Sequence, residues 1–404
     1  MKKKFIENFL SLSLLRILTL IVPLITFPYL IKVLGSEKYG LVMWAWSIMN
    51  FFILFINFGF DLSVTKYISI YRNDNVKISE IVSNTFVTKM FLSLISFFIL
   101  LILICVVPEM KEHKELFFCS FTLALGETMM PIWFFQGIEQ MKYTAVITTS
   151  VKIMFTILVF YLINDQEDYL KVPLIYAIST FVSALFAYYL IFVKNKIKIV
   201  KPKINNIVFY IKDSFSLFLS NSISVLKENI TIIFIEKYIG LTAVAYYDIS
   251  QKFINILITP FHILASVLFP YLSKTKDFNL LKKIIIFNIS VSFLIYILIY
   301  IFTGTLVKLL IGEINPIVEM ILKILAFSIV FSNLTSVLGI NGLVVLGKNK
   351  ELFISSLSGL LFYICLLFIF LYLKMLTIEL VAVCIIFGYI IDLIMRYYYL
   401  RKFL

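Results

Sequence analysis

Twelve stretches, each of about twenty or more mostly apolar residues, follow one another from residue 10 to residue 400 with only short polar breaks. A helix of about 20 residues, rising about 1.5 Å per residue, crosses the roughly 30 Å hydrocarbon core of a bilayer. The stretches are 10–33, 39–65, 81–107, 116–135, 143–163, 172–193, 211–235, 243–272, 281–311, 317–346, 352–373 and 378–400. Composition agrees: 61% of the 404 residues are hydrophobic and the mean hydropathy is +1.01, where soluble domains are about 45–50% apolar. The expected fold is an all-α polytopic membrane protein of about twelve transmembrane helices.

Charge sets the expected orientation, because cytoplasmic loops accumulate Lys and Arg. With alternate loops assigned to opposite faces, one face holds Lys2, Lys3 and Lys4, the run Lys194-Asn-Lys196-Ile-Lys198, Lys201, Lys203 and the basic residues of 274–283. The other face carries mixed or acidic loops, such as Asp165-Gln-Glu167-Asp168 and Glu109-Met-Lys111-Glu112. Both termini are therefore expected in the cytoplasm. The net charge of +13 has the same origin and does not point to a nucleic-acid partner. The start, Met1-Lys-Lys-Lys-Phe5, looks like a signal peptide, but no small-residue cleavage site follows, so it reads as a retained first helix.

Several chemistries are set aside on motif grounds. Cys105, Cys119, Cys365 and Cys384 sit in apolar stretches without CxxC spacing and read as small buried hydrophobes. His113 and His262 lack ligand neighbours, so no metal site is expected. Leu346-Gly-Lys348-Asn lacks the glycine spacing and hydroxyl of an ATP loop, and no loop could hold an enzymatic domain. No cofactor and no catalytic residue are expected.

The longest loop divides the chain into a six-helix lobe (1–193), a cytoplasmic linker (194–210) and a second six-helix lobe (211–404). Ile31-Lys-Val-Leu-Gly35 is echoed by Glu236-Lys-Tyr-Ile-Gly240, an offset of 205 residues, and each ends the first helix of its half. Six helices per half give both lobes one orientation, as parallel repeats about a pseudo-two-fold axis along the membrane normal.

The informative residues are charges inside spans, where an unpartnered charge costs at least ~2.5–3.5 kcal/mol. Lys152 and Lys252 each lie roughly 13 Å deep by helical rise. Lys89, Lys227, Glu228 and Glu127 are also intramembrane, and Arg16 is either buried or snorkels to the surface. Asp248 and Lys252 are i,i+4 and either neutralise each other or face a hydrated cavity; Asp392 and Arg396, with the same spacing near a helix end, read as a pair. The set is cationic on balance, which suits an anion, and Glu127 or Asp248 could bind a proton or Na⁺ or serve as polar helix contacts. Pro23 and Pro28 interrupt the first helix, and Pro260 and Pro270 the eighth, as gates or as static kinks.

Pro23-Leu-Ile-Thr-Phe-Pro28-Tyr-Leu-Ile-Lys-Val-Leu-Gly35 after Arg16, then Asn57-Phe-Gly59-Phe-Asp61-Leu-Ser63, resembles the opening of Wzx-type polysaccharide flippases of the multidrug/oligosaccharidyl-lipid/polysaccharide exporter (MOP) superfamily. Trp133-Phe-Phe-Gln136-Gly137-Ile-Glu139, Tyr246-Tyr-Asp248-Ile-Ser-Gln-Lys252 and Phe269-Pro270-Tyr-Leu-Ser273 resemble later family motifs in order. The resemblance implies two lobes across a cleft and export of an undecaprenyl-pyrophosphate-linked oligosaccharide, an O-antigen or capsule repeat. It implies drive by an H⁺ or Na⁺ gradient in the bacterial inner membrane, and leaves room for contact with a polymerase and chain-length regulator. By matched position, Arg16 and Lys252 would contact the pyrophosphate, with Lys152, Lys227 and Lys89 as further candidates from depth. Glu127, Asp248, Glu228 and Asp61 are the ion-coupling candidates, and Pro23, Pro28 and Pro260 the gating ones. The rivals are a multidrug or lipid II exporter of the same superfamily and a membrane-embedded O-antigen polymerase.

Overall fold

A computed structural model of the chain describes the backbone of residues 2–401 and 403, and the side chains of 21–401 and 403 apart from 216, 220, 221, 224, 266 and 270. Among these residues there are fourteen α-helices and no strand. They are α1 (Lys2–Asn57), α2 (Phe60–Ile70), α3 (Asn75–Val106), α4 (Pro108–Glu112), α5 (Lys114–Met129), α6 (Ile132–Gly137) and α7 (Met141–Leu162). Then follow α8 (Lys171–Tyr189), α9 (Ile204–Tyr238), α10 (Leu241–Thr275), α11 (Phe278–Ile311), α12 (Pro316–Ser336), α13 (Asn349–Tyr372) and α14 (Ile378–Leu400).

Ten helical stretches among the described residues are long and apolar enough to cross a membrane. The first, Ile21–Ile70, takes in the later half of the stretch 10–33 and all of 39–65, and α9, outside those ten, coincides with the seventh. The break between the first two spans lies at Gly35, whose φ of 73° and ψ of 163° leave the helical region. Pro23 and Pro28 lie inside α1, and Pro260 lies inside α10, so the helices continue past these candidate kink positions. The Pro270 side chain lies outside the described residues. The sequence echo has a conformational counterpart: Gly240, matched to Gly35, also takes a positive φ (127°) with an extended ψ (170°). Only glycine adopts such a backbone without strain, so both matched positions turn the chain between spans.

Outward faces are apolar, as helices facing lipid require: Phe91, Phe98, Leu185, Ile301 and Tyr397 are exposed. For the same reason Cys105 and Cys365 are exposed rather than buried as expected, whereas Cys384 is buried. In a chain with lipid as solvent, an apolar neighbourhood in sequence does not distinguish the core from the lipid face.

By packing, the chain divides into two compact units, Met1–Ile230 and Thr231–Leu404. In the first, α5 packs on α8 and α1 on α7. Gly126 of α5 admits Thr180 of α8 into the space a Cβ would fill. The Trp133-Phe-Phe-Gln-Gly motif forms α6, which lies on α2: a Cβ on Gly137 would stand 2.6 Å from Ile68 Cγ2. The segment read as a linker is fastened to this unit. The backbone N–H groups of Lys198, Val200 and Lys203 donate to Ser79 Oγ (3.0 Å), Ser83 Oγ (3.0 Å) and Asn84 Oδ1 (2.9 Å) of α3. Lys203 also pairs with Glu80 at 2.7 Å.

In the second unit α13 and α14 cross at glycines. A Cβ on Gly359 would lie 2.6 Å from the Gly388 carbonyl oxygen, the close approach that small residues permit between membrane helices. Residues Val337–Val344 continue α12 as a π-helix. The buried Arg396 braces it by donating to the Thr335 carbonyl, and also donates to Ser356 Oγ (2.8 Å) and twice to Asp392 (2.7 and 2.8 Å). The i,i+4 pairing expected of Asp392 and Arg396 is present, in the bidentate form that suits a guanidinium.

Candidate functional site

The buried face of α3 carries a row of small polar side chains, among them Thr88 and Ser93. These satisfy themselves within the helix: Thr88 donates to the Asn84 carbonyl (2.7 Å) and Ser93 to the Lys89 carbonyl (2.8 Å). Lys89, in the same row, needs acceptors from other helices. It is 4% exposed and donates to Asn57 Oδ1 at 2.9 Å and to the Thr128 carbonyl at 3.1 Å. Both acceptors exist because helices end there. Asn57 closes α1. Thr128 lies in the last turn of α5, just before Pro131, where carbonyls have no helical donor.

Glu127 precedes Thr128 and accepts a hydrogen bond from the Tyr176 hydroxyl on Oε2 at 3.0 Å. Tyr176 is held edge-on between Trp46 (4.7 Å between centroids) and Phe155 (5.3 Å). Lys89, Lys152 and Asp61 all lie within electrostatic reach of Glu127. One hydrogen bond does not offset the desolvation of a carboxylate, which is typically several kcal/mol, and the neighbouring ammoniums oppose that cost. One turn beyond Lys152, Thr156 returns its hydroxyl to the Lys152 carbonyl (2.9 Å) and meets Thr26 at 2.6 Å, joining α7 to α1 between Pro23 and Pro28. Asn50 donates to Asn229 Oδ1 at 2.9 Å, adding α9 to this polar interior. Asp61 is exposed in the first turn of α2, which starts after Gly59 in the left-handed region (φ 76°).

The structure therefore unites Lys89, Lys152, Glu127 and Asp61, four of the residues singled out from sequence, in the first unit. Lys227 and Glu228 sit side by side on α9, also within electrostatic reach of each other. In the second unit Lys252 pairs with Asp248 at 2.5 Å, the mutual neutralisation that their i,i+4 spacing allows. Arg16 lies outside the described side chains. Lys89, Lys152, Lys227 and Lys252 each lie within electrostatic reach of a carboxylate. Sequence reading did not find Tyr176, Asn57 or Trp46. A Tyr or Trp in an apolar helix carries the same signature whether it lies at the bilayer interface or against a buried carboxylate.

Chemically, a carboxylate within electrostatic reach of two ammoniums has the groups that an ion exchange would need. A proton or Na⁺ at Glu127 would compete with Lys89 and Lys152, and an ammonium released from Glu127 would become available to an anion.

Comparison with known proteins adds to this geometry. A protein of Escherichia coli (strain K12), named as a candidate O-antigen transporter, is 26% identical over 354 residues, covering 85% of each chain. One of the same name from Shigella dysenteriae is 26% identical over 289 residues, covering 70% of this chain and 71% of its own. The fold is shared with an inward-facing multidrug resistance MATE family transporter of the MOP superfamily (TM-score 0.71, 15% identity, 95% of this chain and 97% of that one). It is shared also with the lipid II flippase MurJ in an inward closed conformation (TM-score 0.73, 16% identity, 97% of this chain and 87% of that one). The polysaccharide biosynthesis protein family matches residues 5–276, well over half of the chain. With that match, ten apolar helices and this shared fold, the chain is a multi-pass membrane protein that belongs to the polysaccharide biosynthesis protein family.

Proposed function

We propose that this protein is a flippase that moves an undecaprenyl-pyrophosphate-linked oligosaccharide from the inner to the outer leaflet of the bacterial cytoplasmic membrane. Both termini would be cytoplasmic, and transport would be coupled to H⁺ or Na⁺ by alternating access. The observation that carries this reading is Lys89, buried in α3, with the half-buried Glu127 in electrostatic reach of it and of the half-buried Lys152, in a chain of the polysaccharide biosynthesis family. A protein with only a packing role for these helices would have little reason to bury one charge and half-bury two more, since apolar groups of similar volume are often as stable or more so. In the proposed cycle Glu127 takes the coupling ion, with Asp61, Glu228 and Asp248 as further acidic candidates. Lys89 and Lys152 then meet the diphosphate, together with Arg16, Lys227 and Lys252. Pro23, Pro28 and Pro260 stand as candidate gating positions within continuous helices.

The test is complementation. In a strain whose own flippase gene is deleted, the chain should restore surface polysaccharide, and Lys89→Met should abolish restoration while the protein stays in the membrane. Full surface polymer with Lys89→Met would remove the site. Failure of the wild-type chain, tested in a strain that makes its matching repeat unit, would remove the reading.

A further inference from the structure

Three short connections of the first unit converge on one cavity of about 300 Å³: the turn between α2 and α3, the turn between α6 and α7, and the segment after α8. This volume sits at the lower end of the range of small-ligand pockets. Its floor is apolar, made by Ile78, Phe134 and Ile197, all buried. Its rim is built of carboxamides, Asn73, Asn75, Gln140 and Asn195, with Arg72 beside them. Asn195 donates its amide to the Leu190 carbonyl at 2.9 Å, which fixes its side chain and leaves the amide oxygen facing elsewhere.

The backbone around the cavity is unusual in three places. Glu139 and Lys196, neither of them glycine, take φ of 59° and 54° and flank Gln140 and Asn195. Residues Leu190–Lys194 close α8 as a π-helix. Left-handed non-glycine residues and single π-turns each cost energy and concentrate at functional sites. Here both kinds point rim side chains at one volume. Arg72 pairs with Glu139 at 2.7 Å, so the rim is close to neutral rather than cationic.

We infer that this cavity is a carbohydrate-recognition site that reads the glycan of the transported lipid, on the face where the substrate is loaded. A sugar hydroxyl both donates and accepts a hydrogen bond, and a carboxamide offers both partners in one plane. An anion would need unpaired cationic charge, and the only arginine on the rim is already paired with Glu139. The three contributing connections are also the ones that the charge pattern assigns to the cytoplasmic side. The inference rests on the flippase reading for the identity of the glycan, and on the cavity alone for its chemistry.

The experiment is saturation-transfer NMR on the full chain in lipid nanodiscs, with free glucose, galactose, N-acetylglucosamine and rhamnose as probes. At least one sugar should show transfer, and Asn75→Ala/Gln140→Ala should reduce it at least fivefold with an unchanged thermal midpoint. Asn73→Ala, in an exposed turn, is the second variant should the double change unfold the chain, and should reduce transfer about threefold. Absence of transfer from all four sugars, or full transfer in the folded variants, overturns the inference. A chain that flips lipid-linked glycan but binds no free sugar overturns the cavity assignment and leaves the flippase reading standing. A chain that binds sugar but moves no lipid-linked glycan does the reverse.

Discussion

Lys89 shows how an intramembrane charge is made tolerable by structure that the local sequence does not display. Its ammonium uses the open end of one helix, an Asn at the end of another and the field of Glu127. Removing it leaves a buried carbonyl and a carboxamide without their donor and Glu127 with less compensation. Leaving a buried acceptor without its donor this way typically costs about 1–3 kcal/mol. Lys89→Met should therefore lower the thermal midpoint of the purified protein by several degrees. Adding Glu127→Gln should recover part of the loss, with a coupling of about 0.5–3 kcal/mol in a double-mutant cycle. Strictly additive effects would show that the two groups do not interact. Lys89, Lys152 and Glu127 were legible in the sequence because a lone charge in an apolar run is costly and therefore informative. Their electrostatic proximity was not legible, because they come from three helices with no spacing to connect them. The same limit applies to Lys252 in reverse: its partner, four residues away, is visible in the sequence, and the structure uses it.

At the scale of elements, glycines do what the prolines were expected to do. Gly35 and Gly240 turn the chain at matched places, while Pro23, Pro28 and Pro260 stay inside continuous helices. A helix surrounded by lipid and neighbouring helices can absorb one missing hydrogen bond, whereas a positive φ cannot be accommodated by most other residues. The echo around these glycines was readable; the backbone geometry that explains it was not. The π-turns at 190–194 and 337–344 were also invisible, since one shifted hydrogen bond leaves no mark in composition. Two predictions belong here. Gly359→Ala places a Cβ 2.6 Å from the Gly388 carbonyl, so α13 and α14 must part. This should cost about 1–3 kcal/mol, read as a lower thermal midpoint, and an unchanged midpoint would show that the crossing can relax. Ser83→Ala/Asn84→Ala removes two of the three side-chain acceptors that hold the backbone of 198–203. Trypsin should then cut after Lys198 and Lys203 several-fold faster in inside-out vesicles; equal rates would mean that the remaining contacts suffice.

For the molecule as a whole, its solvent accounts for most of what was readable. A chain surrounded by lipid must satisfy its backbone within helices, so span number and fold class follow from apolar run length. What that rule leaves open is which polar groups face one another, and this is where function resides. The central claim is that the intramembrane charges of the first unit couple ion binding to movement of a lipid-linked glycan. It is tested most directly in proteoliposomes holding the purified full chain and an undecaprenyl-pyrophosphate oligosaccharide, with the leaflet of the glycan read by a membrane-impermeant periodate. The expected result is gradient-dependent transfer across the bilayer, cut at least tenfold by Lys89→Met and by Glu127→Gln. Transfer that is absent in the wild type under every H⁺ or Na⁺ gradient, or unchanged in both variants, would contradict it.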